Sequence, residues 1–259
     1  MSAADLIEKR TASLPTAKLV RRPSFDEVCT LAAERTAELL VEAVASRGSG
    51  HLALTGGSAG IALARSLPAT FAAAGISGSL LENVHLWFGD ERFVAAGDPD
   101  RNDLLVAGLV DAGLPDANVH RVRGPELVAG VDAAAAHLAE ELSATGPAEG
   151  RFDVVHLGVG PDAHVCSLFP GHPAALLTGG DVVAVHSSPK PPPERITVSM
   201  PVMQACPEVW LTTAGAAKAS ALGAAFVGAS PLDLPVASVL SPTTRVYLDE
   251  AAASQIALP

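Results

Sequence analysis

The sequence predicts an open, mostly parallel α/β sheet with helices on both faces. Three observations predict it. Short apolar runs of strand length recur along the chain, at 51–55, 84–88, 153–159, 182–186, 195–200, 209–213 and 245–248. Segments with helical spacing of apolar residues lie between many of them. Several runs break into glycine at their carboxyl ends, as strands do where an α/β sheet builds a site.

In chain order, residues 1–23 are expected to form an extended N-terminal arm, and 24–259 one α/β domain, since no linker divides the rest. Ser24 is suited to cap a helix running to about Ser46, in which Val28, Leu31, Ala32, Leu39 and Leu40 recur near helical spacing. The strand at 51–55 leads into Gly56-Gly57-Ser58-Ala59-Gly60, expected as a turn before a helix over 61–74. The strand at 84–88 opens into Gly89-Asp90-Glu91-Arg92. Residues 94–101 carry Gly97 and Pro99 and are expected as loop, with a helix starting near Asn102 or Asp103. A further helix is expected over 126–143. After the central strand at 153–159 and the strand at 182–186 comes Pro189-Lys190-Pro191-Pro192-Pro193, a stiff loop of polyproline character. Strands at 195–200 and 209–213, a helix over 215–226 and a last strand at 245–248 complete the pattern.

The composition narrows the function. Of the 259 residues, 49% are hydrophobic, enough for a well-filled core, and no apolar run spans a bilayer. The first residues mix charges among apolar side chains and lack the apolar core of a signal peptide, which predicts a cytoplasmic protein. Cys29, Cys166 and Cys206 have neither zinc-type nor redox-type spacing and are expected to be small buried side chains. A net charge of −11 argues against nucleic acid and anionic membranes as partners. No obligate protein partner is inferred. An acidic protein that binds an anion must gather positive groups locally, which gives the basic residues near the motifs added weight.

The segment Gly158-Val159-Gly160-Pro161-Asp162-Ala163-His164 carries the main chemical signal. A carboxylate beside an imidazole fixes its tautomer and keeps it basic, so Asp162 and His164 are candidates for an oriented general base. A metal set of Asp162, His164 and His172 is a weaker alternative, and Cys166 as a nucleophile weaker still. Thr55-Gly56-Gly57-Ser58 suits an anion, because glycines allow close backbone approach and the following helix offers free N–H groups. The alternative is a plain tight turn. Arg92 can fork onto phosphate, with Asp90 or Glu91 orienting it and Arg101-Asn102 nearby. Arg195 and Lys218 become further anion contacts if the fold brings them together.

Taken together, these segments resemble the 6-phosphogluconolactonase family. The likeness rests on Thr55 to Ser58, on Trp87-Phe88-Gly89-Asp90-Glu91-Arg92 followed by Asp100-Arg101-Asn102, on Gly158 to His164 continuing to Ser167-Leu168-Phe169-Pro170-Gly171, and on Arg195-Ile196-Thr197. In order and spacing they cover most of the chain. The resemblance implies a Rossmann-like sheet of the sugar-phosphate isomerase and deaminase kind. It also implies hydrolysis of 6-phospho-D-glucono-1,5-lactone in the pentose phosphate pathway, with no metal or organic cofactor. Carried over by position, His164 is the base and Asp162 its companion, while Thr55 to Ser58, Asp90, Arg92, Arg195 and Lys218 hold the substrate. Two departures stand out. The family's Asp-Gly-His is Asp162-Ala163-His164 here, which costs strain if the position needs a positive φ. Its Thr-Ala is replaced by Val165-Cys166. The deaminase branch of the same fold places a glutamate five residues after the histidine, where this chain has Phe169, which favours the lactonase. Sugar-phosphate sensor domains share the fold but accompany a DNA-binding segment, for which the 25 residues before the resemblance are too few.

Overall fold

The computed structural model describes residues 17–147 and 151–257. Six strands form one sheet in the order β1-β9-β8-β5-β2-β3. They are β1 (Lys18–Arg22), β2 (Gly50–Leu54), β3 (Val84–Phe88), β5 (Val154–Leu157), β8 (Val209–Thr213) and β9 (Thr244–Asp249). Every pairing in it is parallel. Parallel neighbours need crossover connections, and the helices that make them cover both faces.

The strand residues alternate accordingly. Leu52, Leu54, Leu86, Phe88, Val154, Trp210 and Tyr247 enter one buried cluster with Val28, Leu40, Leu63 and Leu67 of helices α1 (Phe25–Arg47) and α2 (Gly57–Ala73). Ala53, Trp87, Val155, Leu157, Leu211, Val246 and Leu248 enter the other. There they meet Leu138 and Leu142 of α4 (Val131–Thr145) and Leu222 of α6 (Ala219–Phe226). Two sheet faces, each carrying every second residue, account for the near-continuous apolar strands.

Ser24 caps α1 as expected, its hydroxyl accepting from the Glu27 N–H at 3.3 Å, a bond of the kind whose loss costs about 1 kcal/mol. Five details differ from the sequence expectation. Residues 18–22, expected within an arm, form β1 and pair with β9 in register Lys18 to Arg245. Residues 1–16 of the expected arm lie outside the described residues. The glycine turn is shorter, because Gly56 is already the N-cap of α2. The helix expected from 126 starts at Val131, after Gly130. Residues 200–205, expected partly as strand, form helix α5 (Met200–Ala205), capped by the Ser199 hydroxyl.

The fifth difference matters most for the site. β4 (Asp90–Arg92), β6 (Val182–Val185) and β7 (Arg195–Val198) form a separate antiparallel sheet in the order β4-β7-β6. The sheets join at Gly89, whose N–H donates to Leu54 O at 2.7 Å and whose carbonyl accepts from Val198 N at 2.8 Å. α3 (Ala107–Asp111) and α7 (Glu250–Ala253) are short peripheral helices.

Candidate active site

A cavity opens at the carboxyl ends of β2, β3, β5 and β8, which are neighbours in the large sheet. From β2 the chain steps outward to β3, then returns to β5 on the other side. The cavity therefore sits at the point where strand order reverses, the usual place for a ligand in an open α/β sheet. Thr55, Gly56, Gly57, Ser58, Asp90, Arg92, His164 and Arg195 all line it, with Gly158, Gly160, Cys166, Thr212 and Thr213. Asp162 and Lys218, also expected at the site, are not among the residues that line the cavity; Asp162 reaches it through His164.

His164 Nδ1 lies 2.5 Å from Asp162 Oδ1. Lys190 Nζ lies 3.0 Å from the same oxygen and 3.0 Å from Nδ1. The Nδ1–Oδ1 contact needs one proton between the two atoms, and with Asp162 ionised Nδ1–H is the donor. Lys190 then donates to the same carboxylate, and its approach to Nδ1 is a contact between two donors and not a hydrogen bond. Nε2 is then the basic nitrogen, and no hydrogen bond to a described residue occupies it. Burial lowers the proton affinity of His164, Asp162 raises it, Lys190 lowers it, and the balance falls below the ordinary histidine value. Burial, not the carboxylate, sets the direction, which leaves the imidazole neutral and able to accept a proton at neutral pH. Asp162 is pushed upward by burial, but the hydrogen bonds from His164 and Lys190 outweigh this and hold it below the usual carboxylate range.

The loop is built tightly around this pair. A Cβ on Gly160 would lie 2.0 Å from His164 Cε1 and Nδ1. Ala163 has a φ of +66° and Cys166 one of +50°. Ala163, where the resemblance implies glycine, is thus held in left-handed backbone, at a cost of about 1–2 kcal/mol. Cys166 is buried, and burial followed by the charge of Asp90 pushes its thiol well above the ordinary range. It is no thiolate nucleophile. His172 donates from Nε2 to His186 O and accepts at Nδ1 from Ala174 N, so both ring nitrogens are spent on the main chain. It has no lone pair to offer a metal.

The opposite wall belongs to the small sheet. Arg92 and Arg195 are directly paired across β4 and β7. Like charges in that position repel each other. Arg195 is held below the usual guanidinium range by burial, with Asp90 pulling upward and Arg92 adding to the depression. An anion between them relieves the repulsion. Arg92 NH1 donates to Asp100 O and Asn102 Oδ1, at 2.6 and 2.7 Å, while its buried Nε has no partner among the described residues. Asn102 Nδ2 donates to Asp90 O at 2.8 Å. A Cβ on Gly56 would come within 2.1 Å of Asn102 Oδ1, so the glycine loop and the arginine wall meet there. Arg195 donates from Nε and NH2 to the carbonyls of Pro192, Lys190 and Pro191.

Strand alternation separates Glu91 from its neighbours. Its buried carboxylate accepts from the N–H groups of Arg92, Asn102 and Asp103, tying the loop together away from the cavity. Lys218 stands at the start of α6, near enough to Lys190 and Asp162 to feel both charges. Burial, and then Lys190, lowers its ordinary value. Sequence reasoning missed Lys190 and the β8 end at Thr212 and Thr213. A single cation in a stiff proline loop was the available signal for the first.

An imidazole–carboxylate pair facing paired guanidinium groups, over the carboxyl ends of a parallel sheet, is a site of the open α/β class suited to an anionic ligand. The family model for glucosamine-6-phosphate isomerases and 6-phosphogluconolactonase matches residues 23–248, and the chain belongs to that family. It is similar to the 6-phosphogluconolactonase of Streptomyces coelicolor, 41% identical over 93% of this chain and 95% of the relative. It is also similar to the human 6-phosphogluconolactonase, 37% identical over 88% of each chain. Among solved structures, a 6-phosphogluconolactonase from Shewanella baltica superposes with a TM-score of 0.72 at 26% identity, over 92% of this chain and 99% of the other. A monomeric glucosamine-6-phosphate deaminase shares the fold, with a TM-score of 0.73 at 19% identity over 92% and 99%.

Proposed function

We propose that this enzyme hydrolyses 6-phospho-D-glucono-1,5-lactone to 6-phosphogluconate in the oxidative pentose phosphate pathway, with His164 as general base. The observation that carries the chemical assignment is the Asp162–His164 bond, which leaves Nε2 unoccupied beside the cavity. Nε2 takes a proton from water as the water oxygen bonds to the lactone carbonyl carbon, C1. Asp162 stabilises the imidazolium formed. Collapse of the tetrahedral intermediate breaks the bond from C1 to the ring oxygen, which receives the proton back from Nε2. The 6-phosphate lies against Arg92, Arg195 and the start of α2, and positions C1 by binding energy remote from it. Three free, buried cysteines suit a reducing cytoplasm, the compartment we assign.

The experiment is a lactonase assay with the spontaneous reaction subtracted, using the phosphorylated lactone and plain gluconolactone side by side. Arg92→Ala is expected mainly to raise KM for the phosphorylated lactone and to cost about 2–4 kcal/mol in kcat/KM. Its preference for the phosphorylated over the plain lactone should fall with it. This variant is cleaner than Arg195→Ala, because Arg195 also grips the proline loop. An unchanged preference removes Arg92 from phosphate recognition, and absence of lactone hydrolysis by the wild-type enzyme rejects the function.

The deaminase alternative meets a specific obstacle. Phe169 is fully buried, with its ring 4.8 Å from the His164 ring, at the position where the deaminase resemblance calls for a carboxylate. Glucosamine-6-phosphate is therefore expected to release no ammonia. Ammonia release at a rate comparable with lactone hydrolysis would overturn the branch assignment. Turnover of the lactone itself separates the enzyme from a sensor that only binds.

A further inference from the structure

We infer that Lys190 is a positioning residue for the base: the proline loop delivers its ammonium to the Asp162–His164 pair and locks that pair in the proton arrangement that leaves Nε2 basic. The inference rests on His164 being the base. Lys190 lies 26 residues beyond His164, between β6 and β7. Its Nζ touches both members of the pair at 3.0 Å.

The surrounding structure holds the lysine there. The Lys190 carbonyl accepts from Ser188 Oγ at 3.0 Å and from Arg195 NH2 at 3.2 Å. Arg195 also binds the next two carbonyls of the loop, so one guanidinium sets the path of three residues. The Phe169 ring supports the whole group. Lys190 Nζ stands 5.7 Å from its centroid, Arg195 Cζ 5.6 Å, and the His164 ring 4.8 Å. Both cations are within cation–π range of one buried ring.

The consequence is electrostatic and geometric. With Lys190 on Oδ1, Asp162 stays ionised and accepts Nδ1–H, so the wrong tautomer is disfavoured. The same ammonium opposes protonation of His164. The charges facing His164 are Asp162 on its own loop, Lys190 on the β6–β7 loop and Asp90 on β4, and Lys218 is coupled to Asp162 and Lys190. Removing Lys190 therefore leaves two carboxylates facing the imidazole and makes it easier to protonate.

The test is the pH dependence of kcat between pH 5 and 8 for the wild-type enzyme, Lys190→Met and Lys190→Arg, with folding checked by thermal melts. Wild type is expected to lose activity on the acid side as His164 protonates. In Lys190→Met that limb should move to higher pH by roughly one unit. Its plateau kcat should fall roughly tenfold, from lost orientation, while KM stays within about threefold. Lys190→Arg keeps the charge and should return the limb close to its wild-type position. A fall in kcat with the limb unmoved makes Lys190 merely structural and overturns the inference. So does a KM rise with the limb unmoved, which makes it a substrate contact. If wild type shows no acid limb, or His164→Ala keeps wild-type kcat, the base assignment fails and takes the inference with it.

Discussion

His164→Ala is expected to lower kcat by about 10²–10⁴-fold, equivalent to about 3–5 kcal/mol of transition-state stabilisation, with KM changed little. The split follows from the geometry. His164 contributes a lone pair to the cavity, whereas the groups suited to bind phosphate stand on the other wall, on β4 and β7. Steady-state kinetics on the folded, purified variant measure both constants. Near wild-type kcat would reject His164 as the base, and a rise in KM at constant kcat would recast it as a binding residue.

Acid should destabilise the protein, because two histidines are buried in neutral form. His51 is pushed down to about 3, chiefly by burial, with His85, His120 and Arg47 adding. It accepts at Nδ1 from Trp87 Nε1 at 3.2 Å, so a proton there would displace that bond. His85 and His120 continue the pile: His85 Nδ1 lies 3.1 Å from His120 Nε2, and His120 Nδ1 lies 2.7 Å from Glu141. His156, fully buried, is also pushed to about 3 by burial. Its Nε2 donates to Thr36 Oγ1 and its Nδ1 has no partner among the described residues.

Between about pH 6.5 and 3 the unfolded chain binds these two protons and the native state does not, so stability falls as pH falls. Each histidine contributes a slope of about 1.4 kcal/mol per pH unit. Glu91 acts in the opposite sense, because burial raises it to about 7, and from there down to 4.5 the native state takes up a proton first. For these three groups together the expectation is about 1.4 kcal/mol lost per pH unit from 6.5 to 4.5, then a slope about twice as steep, with the lowered His85 and His164 adding to the loss. Urea unfolding at several pH values checks it, and stability that is flat or rises toward pH 4.5 would contradict it. His156→Leu should reduce the slope by one proton.

What the sequence disclosed was short in range. Thr55 to Ser58, Gly89 to Arg92 and Gly158 to His164 each follow an apolar strand, so motif and position could be read from neighbours along the chain. The Asp162–His164 bond spans two residues. Lys190 was hidden because its place depends on the β6–β7 pairing and on Arg195 gripping three carbonyls. The small sheet was hidden because β4 has only three residues, Asp90, Glu91 and Arg92, all charged. Their polar run reads as loop until β7 pairs with it. β1 was masked in the same way: Lys18, Arg21 and Arg22 flank a mere two apolar residues, and pairing with β9 makes it a strand. The positive φ at Ala163 was foreseen as a condition, since only the backbone reveals whether the methyl is strained.

The joint at Gly89 gives this architecture a division of labour that bears on how such enzymes diversify. The imidazole is carried by a loop of the large sheet, and the two arginines by the small one. The two meet at Gly89, across the cavity and at Lys190, so a cavity-facing side chain such as Arg92 can change while the loop after β5 stays in place. A laboratory search for altered lactone preference has its natural address on β4, with Lys190 and the Arg195 that grips its loop left in place. Mutations to the loop after β5 would trade away turnover before they changed taste.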